Sequence, residues 1–131
     1  MELKELLDYK NWVVVGKISD PNKYPYKILK SLELGDFEVK GVYSKDTSGE
    51  AYKSLKEVPY KIDVIDLCIN PTLGIDVIKE AKELGIDKVL IQPGAESQEI
   101  LDFCKENGIA AIEGCALVLL SIYRNIKIYH N

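Results

Sequence analysis

The sequence is poor in cysteine and histidine, and each shortage excludes a class of protein. Its three cysteines, Cys68, Cys104 and Cys115, are an odd number, lie far apart and form no C-x-x-C pair. We therefore predict neither a disulfide framework nor a zinc cluster, and a reducing, cytoplasmic setting. The single histidine, His130, stands next to the C-terminus, so a Ser-His-Asp or Cys-His arrangement is not expected.

Long apolar runs and an excess of positive charge are also missing. No run reaches the roughly 18 residues that span a bilayer, and Glu2, Lys4 and Glu5 stand where a signal peptide is apolar. The 131 residues carry 17 basic against 21 acidic side chains, so no broad basic field attracts nucleic acid or an anionic membrane. We predict a single cytoplasmic domain over residues 1–131, in which any bound phosphate must be held locally.

Five apolar, β-rich segments recur at regular intervals along the chain. They are Trp12–Val15, Phe37–Tyr43, Ile62–Ile69, Lys88–Ile91 and Ile109–Ile112, and their starts lie 21 to 26 residues apart. This spacing leaves room for a helix between successive strands, whereas hairpins would place strands about every 8–12 residues. The pattern predicts an α/β fold, a three-layer, doubly wound parallel sheet of five strands.

Residues typical of helix ends support this prediction. Gly35, Gly85 and Gly108 follow three predicted crossover helices, and Ser97 can cap the last of them. A short helical stretch around Ser54–Val58, a leading helix over Glu2–Tyr9 and a C-terminal helix after Cys115 complete the pattern. Right-handed crossovers then give the strand order 3-2-1-4-5, with ligands at the carboxyl ends of the strands, between strands one and four.

The turn after the first strand is the first candidate site. Gly16 lets the backbone turn tightly, and free N–H groups together with the Ser19 hydroxyl can bind phosphate oxygens near a helix start. The dinucleotide fingerprint G-x-G-x-x-G is missing, because Ile18 and Pro21 occupy its second and third glycine positions. A purely structural turn is the alternative.

Three other strand ends carry polar residues. After strand two, the first acid is Asp46, one residue beyond Lys45. The lack of an acid at the strand tip argues against the ribose contact of an NAD site. Lys45 is better suited to a phosphate group on a ribose. Strand three ends at Asn70–Thr72 and strand four at Gln92–Gly94. Each pairs a proline with polar groups near a helix N-terminus, where an anion or a polar ligand group is favoured, although prolines are also ordinary helix punctuation.

Candidates for catalysis are few. Asp66 lies inside an apolar strand, where it is either a general base or a residue that bonds neighbouring backbone. We interpret all three cysteines as core residues rather than nucleophiles, although Cys115 falls on the ligand side of the sheet.

Together these residues resemble the small bacterial and archaeal CoA-binding domain proteins, whose first strand ends in a G-x-S turn. The stretch Val13–Ser19 carries this resemblance, and Asp63–Asp66, Asn70-Pro71, Gln92–Ser97 and the late Cys115 extend it over nearly the whole chain. The resemblance implies a Rossmann-like domain similar to the CoA-binding domain of the succinyl-CoA synthetase α-subunit. The chain departs from the family at strand two, where Ser44-Lys45 replaces an Asn-Pro pair.

The resemblance also implies roles for individual residues. The CoA diphosphate would lie on Gly16, Lys17, Ile18 and Ser19. The adenosine end would lie near Tyr43 and Lys45, with Asn70, Pro71 and Thr72 as the other wall, and the pantetheine arm would run towards Gln92, Pro93 and Gly94. The synthetase domain that carries the phosphorylated histidine has no counterpart in this sequence, and no metal is implied.

We therefore predict a non-catalytic module that binds coenzyme A or an acyl-CoA as a carrier or sensor. Two alternatives stay open: an NAD(P)-responsive regulatory domain, and a subunit that contributes CoA to a multi-chain acyl-CoA ligase. The sequence also leaves open a homodimer or a larger partner subunit.

Overall fold

Five parallel strands alternate with helices along the chain, as the regular spacing of the apolar segments predicts. The structure is a computed structural model that describes the backbone of residues 1–130 and the side chains of residues 1–124. The strands are β1 (Asn11–Val15), β2 (Glu38–Val42), β3 (Val64–Leu67), β4 (Lys88–Ile91) and β5 (Ala110–Glu113). The helices are α1 (Tyr24–Leu34), α2 (Pro71–Glu83), α3 (Gln98–Glu106) and α4 (Ala116–His130), with 3-10 helices at Leu3–Asp8 and Leu55–Glu57.

The sheet has the order β2-β1-β3-β4-β5, so the three-layer α/β class is confirmed and the predicted order 3-2-1-4-5 is wrong. Every residue of β3 is buried, which requires a central position between β1 and β4. In β2, by contrast, Glu38 and Lys40 are exposed and alternate with buried neighbours, as on an edge strand. The topological switch, where ligands bind in such sheets, therefore lies between β1 and β3.

Helices cover both faces of the sheet. Successive residues of β1 point to opposite sides, so Trp12 and Val14 pack under α1 and α4, while Val13 and Val15 pack under α2 and α3. Leu6, from the first 3-10 helix, is fully buried in the core under α1 and α4. The central strands β1, β3 and β4 are consequently buried on both faces, which is why the sequence shows continuous rather than alternating apolar runs there.

Most of the residues predicted to begin or end helices do so in the structure. Ser97 accepts a hydrogen bond from the Ile100 N–H at 3.1 Å, and Gly85 and Gly108 have φ values of 75° and 69° after their helices. No helix within the described residues has the length and apolar character needed to cross a membrane. The side chain of His130 lies outside the described residues.

Candidate functional site

Gly16 lies where the turn after β1 crosses the end of β3. A Cβ atom on this residue would lie 2.4 Å from the Cys68 carbonyl oxygen and 2.7 Å from Cγ of Pro25. The Cys68 N–H donates to the Val15 carbonyl at 2.9 Å and so fixes the two turns side by side. The first strand ends in glycine because no side chain fits between β3 and the start of α1.

This crossing forms the floor of a cleft of about 240 Å³ at the carboxyl ends of the central strands. Its lining consists of Lys17, Lys23, Pro25, Tyr43, Cys68, Ile69, Asn70 and Leu73. The structure thus brings together three residues that the sequence predicts for the site, from the ends of β1, β2 and β3. Sequence reasoning missed Lys23, although its place just before the first-turn Pro25 is a signal for a residue at a helix N-terminus.

The N-terminus of α1 opens at this cleft without a side-chain cap. Lys23 occupies the N-cap position and makes no side-chain capping bond, whereas Asn70 caps α2 and Ser97 caps α3. The first turn of α1 contains no acidic residue. Its backbone donors and its positive dipole end are therefore left for an anion, with a lysine beside them.

Two residues of the predicted diphosphate turn face away from this cleft. Ile18 is buried, a Cβ on Gly41 would lie 2.6 Å from its Cγ1, and its N–H donates to the Gly16 carbonyl at 2.9 Å. The side chain of Ile18 thus packs against β2. Ser19 lines a neighbouring cleft of about 330 Å³ between α1 and β2, together with Tyr26 and Lys40.

Asp46, the first acid after β2, has no free carboxylate oxygen. Asp46 is buried, its Oδ1 accepts from the Ser48 hydroxyl at 2.7 Å, and its Oδ2 accepts from the Gly49 N–H at 2.9 Å. These bonds, led by the one from Ser48, lower the pKa of Asp46. Lys45 is exposed and lies outside the cleft that Tyr43 lines.

The residues after β4 lie apart from the cleft at Gly16. Pro93 and Gly94 are exposed, and Pro93 lines a shallow cleft of about 390 Å³ with Glu96 and Glu113. Pro71 and Thr72 form the first turn of α2, where Thr72 is exposed. The predicted site residues therefore fall into separate groups along the carboxyl edge of the sheet.

Gln92 has a structural contact that its predicted ligand role did not anticipate. Its side chain is 4% exposed, and its Oε1 accepts from the Ala116 N–H at 2.7 Å. The bond satisfies a backbone donor in the first turn of α4. This helix packs against the face of the sheet that α1 also covers. Gln92 thus ties the end of β4 to the start of the last helix.

Gln92→Ala is expected to lower the free energy of unfolding by about 1–2 kcal/mol, because it leaves the buried Ala116 N–H without a partner. Gln98→Ala is the matched control, since Gln98 is exposed and bonds only Asp102 on the surface of α3. We expect that control to change stability by less than about 0.5 kcal/mol. Urea denaturation of both variants measures the difference, and equal losses would contradict the role of Gln92.

Asp66 occupies the centre of β3, where the expected bond to neighbouring backbone is not found. The residue is fully buried, and among the described residues neither carboxylate oxygen has a hydrogen-bond partner. The expected bond to neighbouring backbone is therefore wrong. Burial raises the pKa of Asp66 well above its ordinary value of 3.8.

The three thiols differ in their surroundings. Cys104 is 1% exposed in the core under α2 and α3, as predicted for a core residue. Cys68 and Cys115 are half-buried on the ligand side. Burial, followed by the charges of Asp66 and Cys115, raises the pKa of the Cys68 thiol to about 12.

Comparison with known proteins shows which family this chain matches. Residues 10–121 match the model of a CoA binding domain family. A conserved hypothetical protein from Pyrococcus furiosus is 38% identical, with a TM-score of 0.71 over 81% of this chain and 94% of that chain. A hypothetical protein from Pyrococcus horikoshii OT3 is 25% identical, with a TM-score of 0.81 over 88% of this chain and 85% of that chain.

A curated relative is a much longer protein. The alpha subunit of the ADP-forming acetate–CoA ligase II of Pyrococcus furiosus is 23% identical over 140 residues, covering 93% of this chain. The match takes in 31% of that subunit, so the chain spans about a third of its length. The family model covers most of the chain, including β1 to β5 and the turn at Gly16. The chain belongs to the CoA-binding domain family.

Proposed function

We propose that the chain binds coenzyme A or an acyl-CoA, with the diphosphate in the cleft at Gly16, and acts as a non-catalytic carrier or sensor. One observation carries the proposal. The tight turn at Gly16, the side chains of Lys17 and Lys23 and the uncapped start of α1 meet in a single cleft at the topological switch. The family membership of the chain supports the same ligand class.

The charges around the cleft suit a diphosphate. Lys17 and Lys23 are both exposed at its rim, and its lining, as far as the side chains are described, contains no carboxylate. Lysine binds phosphate as a point charge, and the N–H groups at a helix start add oriented donors. The net charge of −4 is therefore compatible with an anionic ligand, since the local field at the cleft is positive.

The tip of β2 favours CoA over NAD. An NAD site places a free carboxylate there for the ribose hydroxyls, whereas the oxygens of Asp46 are held by Ser48 and Gly49. Lys45 stands exposed one residue before it and is suited to the 3′-phosphate of CoA. We therefore expect dephospho-CoA, which lacks that phosphate, to bind more weakly than CoA.

The chemistry of the cleft favours holding a ligand over transforming it. Its one thiol, Cys68, has a pKa of about 12, so it is protonated at neutral pH and is a weak nucleophile. Tyr43 and Asn70 can position a ligand by hydrogen bonds. A cleft that holds a ligand without transforming it suits a carrier or a sensor.

Isothermal titration calorimetry with CoA, acetyl-CoA, dephospho-CoA, NADH and NADPH tests the proposal. Lys17→Ala and Lys23→Ala should each weaken CoA binding roughly tenfold, the loss of one charge-assisted contact to phosphate. Lys105→Ala is the matched control, because Lys105 is exposed in the last turn of α3, at the opposite edge of the sheet. Equal effects of all three variants, or tighter binding of NADH than of CoA, would refute the assignment.

A second candidate function is the CoA-holding subunit of a larger acyl-CoA ligase. The similarity to an acetate–CoA ligase alpha subunit favours it, since the chain spans 31% of that subunit. Purification of the chain from its own cells, followed by mass spectrometry, tests this candidate. Stoichiometric recovery of an ATP-binding ligase subunit would support it, whereas a lone monomer or homodimer would oppose it.

A further inference from the structure

The outer edge of β2 carries backbone groups that are free to pair. The Glu38 N–H donates to the Lys10 carbonyl at 2.9 Å, and the Val42 carbonyl accepts from the Gly16 N–H at 3.0 Å, so Glu38 and Val42 face β1. The backbone groups of successive residues in a strand point in opposite directions, so those of Val39 point away from the sheet. The described residues supply no partner for the Val39 N–H or C=O. An edge of this kind can accept a further strand.

The groups left free on this edge fit a second copy of β2. The Phe37 N–H is already held by the Leu32 carbonyl at 3.1 Å, and the Gly41 carbonyl by the Tyr52 N–H at 2.9 Å. The Phe37 C=O, the Val39 N–H and C=O and the Gly41 N–H have no partner among the described residues. An antiparallel copy, related by a two-fold axis through Val39, uses all of these groups. The two Val39 residues exchange both bonds, and each Gly41 N–H donates to the Phe37 carbonyl of the other copy.

The side-chain charges of β2 fit the same register. With the two Val39 residues opposite each other, Glu38 of each copy lies opposite Lys40 of the other. Both side chains are exposed on one face of the strand, and within residues 1–124 neither has an ion pair. Opposite charges at such positions stabilise a strand pair, and like charges destabilise it. Centring the pair on Glu38 or on Lys40 would instead place like charges opposite each other.

We propose that two copies of this chain join through the outer edges of β2, antiparallel and centred on Val39, to form one continuous sheet. The interface is self-complementary, as a two-fold dimer requires. Because the joined strands run in opposite directions, the carboxyl ends of the two sheets point to opposite sides of the dimer. The two clefts at Gly16 therefore open away from each other, and the dimer does not depend on CoA.

Analytical ultracentrifugation of the full chain tests the proposal. Wild type should sediment at micromolar concentration with twice the mass of the chain. Glu38→Lys and Lys40→Glu each turn both cross-strand pairs from opposite into like charges, so each should weaken the dimer roughly 10- to 100-fold. Both side chains are exposed, so both variants should keep the far-UV circular dichroism spectrum of wild type.

Mixing the two variants tests the register itself. The Glu38→Lys chain carries lysine at both positions and the Lys40→Glu chain carries glutamate at both, so every cross-strand pair between them joins opposite charges. An equimolar mixture should therefore recover a dimer that contains one chain of each kind. Lys105→Glu and Glu106→Lys are the matched controls, because both residues are exposed at the end of α3, far from β2. Each control should dimerise as tightly as wild type.

Three results would each overturn the proposal. The first is a wild-type chain that stays monomeric. The second is a pair of β2 variants that dimerise as tightly as wild type. The third is a mixture of the two dissociated variants that stays monomeric, which would show that Glu38 and Lys40 do not lie opposite each other in the dimer.

Discussion

Gly16→Ala is expected to lower the free energy of unfolding by about 3 kcal/mol, the upper end of what overpacking costs. The added Cβ would lie 2.4 Å from the Cys68 carbonyl oxygen and 2.7 Å from Pro25. One neighbour is backbone and the other a rigid ring, so neither can rotate away. The turn after β1 would have to separate from β3, which removes the floor of the cleft.

Gly74→Ala is the matched control, since Gly74 lies inside α2 and is also buried. A Cβ there would lie 3.4 Å from the nearest side-chain atoms, those of Ile100 and Leu67, which is ordinary contact. The helix gains roughly 0.5–1 kcal/mol from alanine. Urea denaturation should therefore show opposite signs for the two variants, and a Gly16→Ala chain as stable as wild type would contradict the described crossing.

Asp66→Val is expected to raise the free energy of unfolding by roughly 1–3 kcal/mol at neutral pH. The substitution removes a buried carboxyl whose oxygens have no partner among the described residues, and the cost of such a group has this size. Valine is similar in volume, suits a strand and fits between Val14 and Leu90, the neighbours of Asp66 across β1 and β4. Asp66→Asn keeps a polar group in place and should give no such gain.

The gain from Asp66→Val should depend on pH in a defined direction. The folded chain holds the Asp66 proton more tightly than the unfolded chain, because burial raises the pKa above 3.8. Wild-type stability therefore falls as pH rises from about 4 to the folded pKa, by at most about 1.4 kcal/mol per pH unit. The variant lacks this loss, so its advantage should grow over that window.

Thermal and urea unfolding of both chains between pH 4 and pH 8 measure this dependence. A difference that stays constant with pH would show that Asp66 titrates alike in both states. A variant less stable than wild type at neutral pH would show that Asp66 makes a stabilising contact.

The class of the fold was predictable because the central strands β1, β3 and β4 are covered on both faces. Continuous apolar runs at regular spacing, with glycine and serine at helix ends, suffice for a parallel α/β sheet. The predicted strand order was wrong, although one signal of the observed order was present. Glu38 and Lys40 alternate with apolar residues, which indicates an edge strand, while Val64–Leu67 carries only Asp66 as a polar residue.

The candidate site was predictable only in part, since spacing indicates which residues follow a strand and not where their side chains point. Lys17, Tyr43 and Asn70 meet in one cleft. Ile18 instead packs against Gly41, and Gln92 binds the start of α4. Both contacts join residues far apart in the sequence, and such contacts leave no local pattern.

A crystal structure of the chain with coenzyme A would show directly where the ligand lies. We expect one CoA per chain, with its diphosphate above Gly16, within hydrogen-bond distance of Lys17 and of the first-turn N–H groups of α1. The adenosine end should lie at the tip of β2, beside Tyr43 and Lys45. CoA bound at the cleft between α1 and β2, CoA bound at the β4–β5 edge, or no bound CoA at saturating concentration would contradict a CoA site at Gly16.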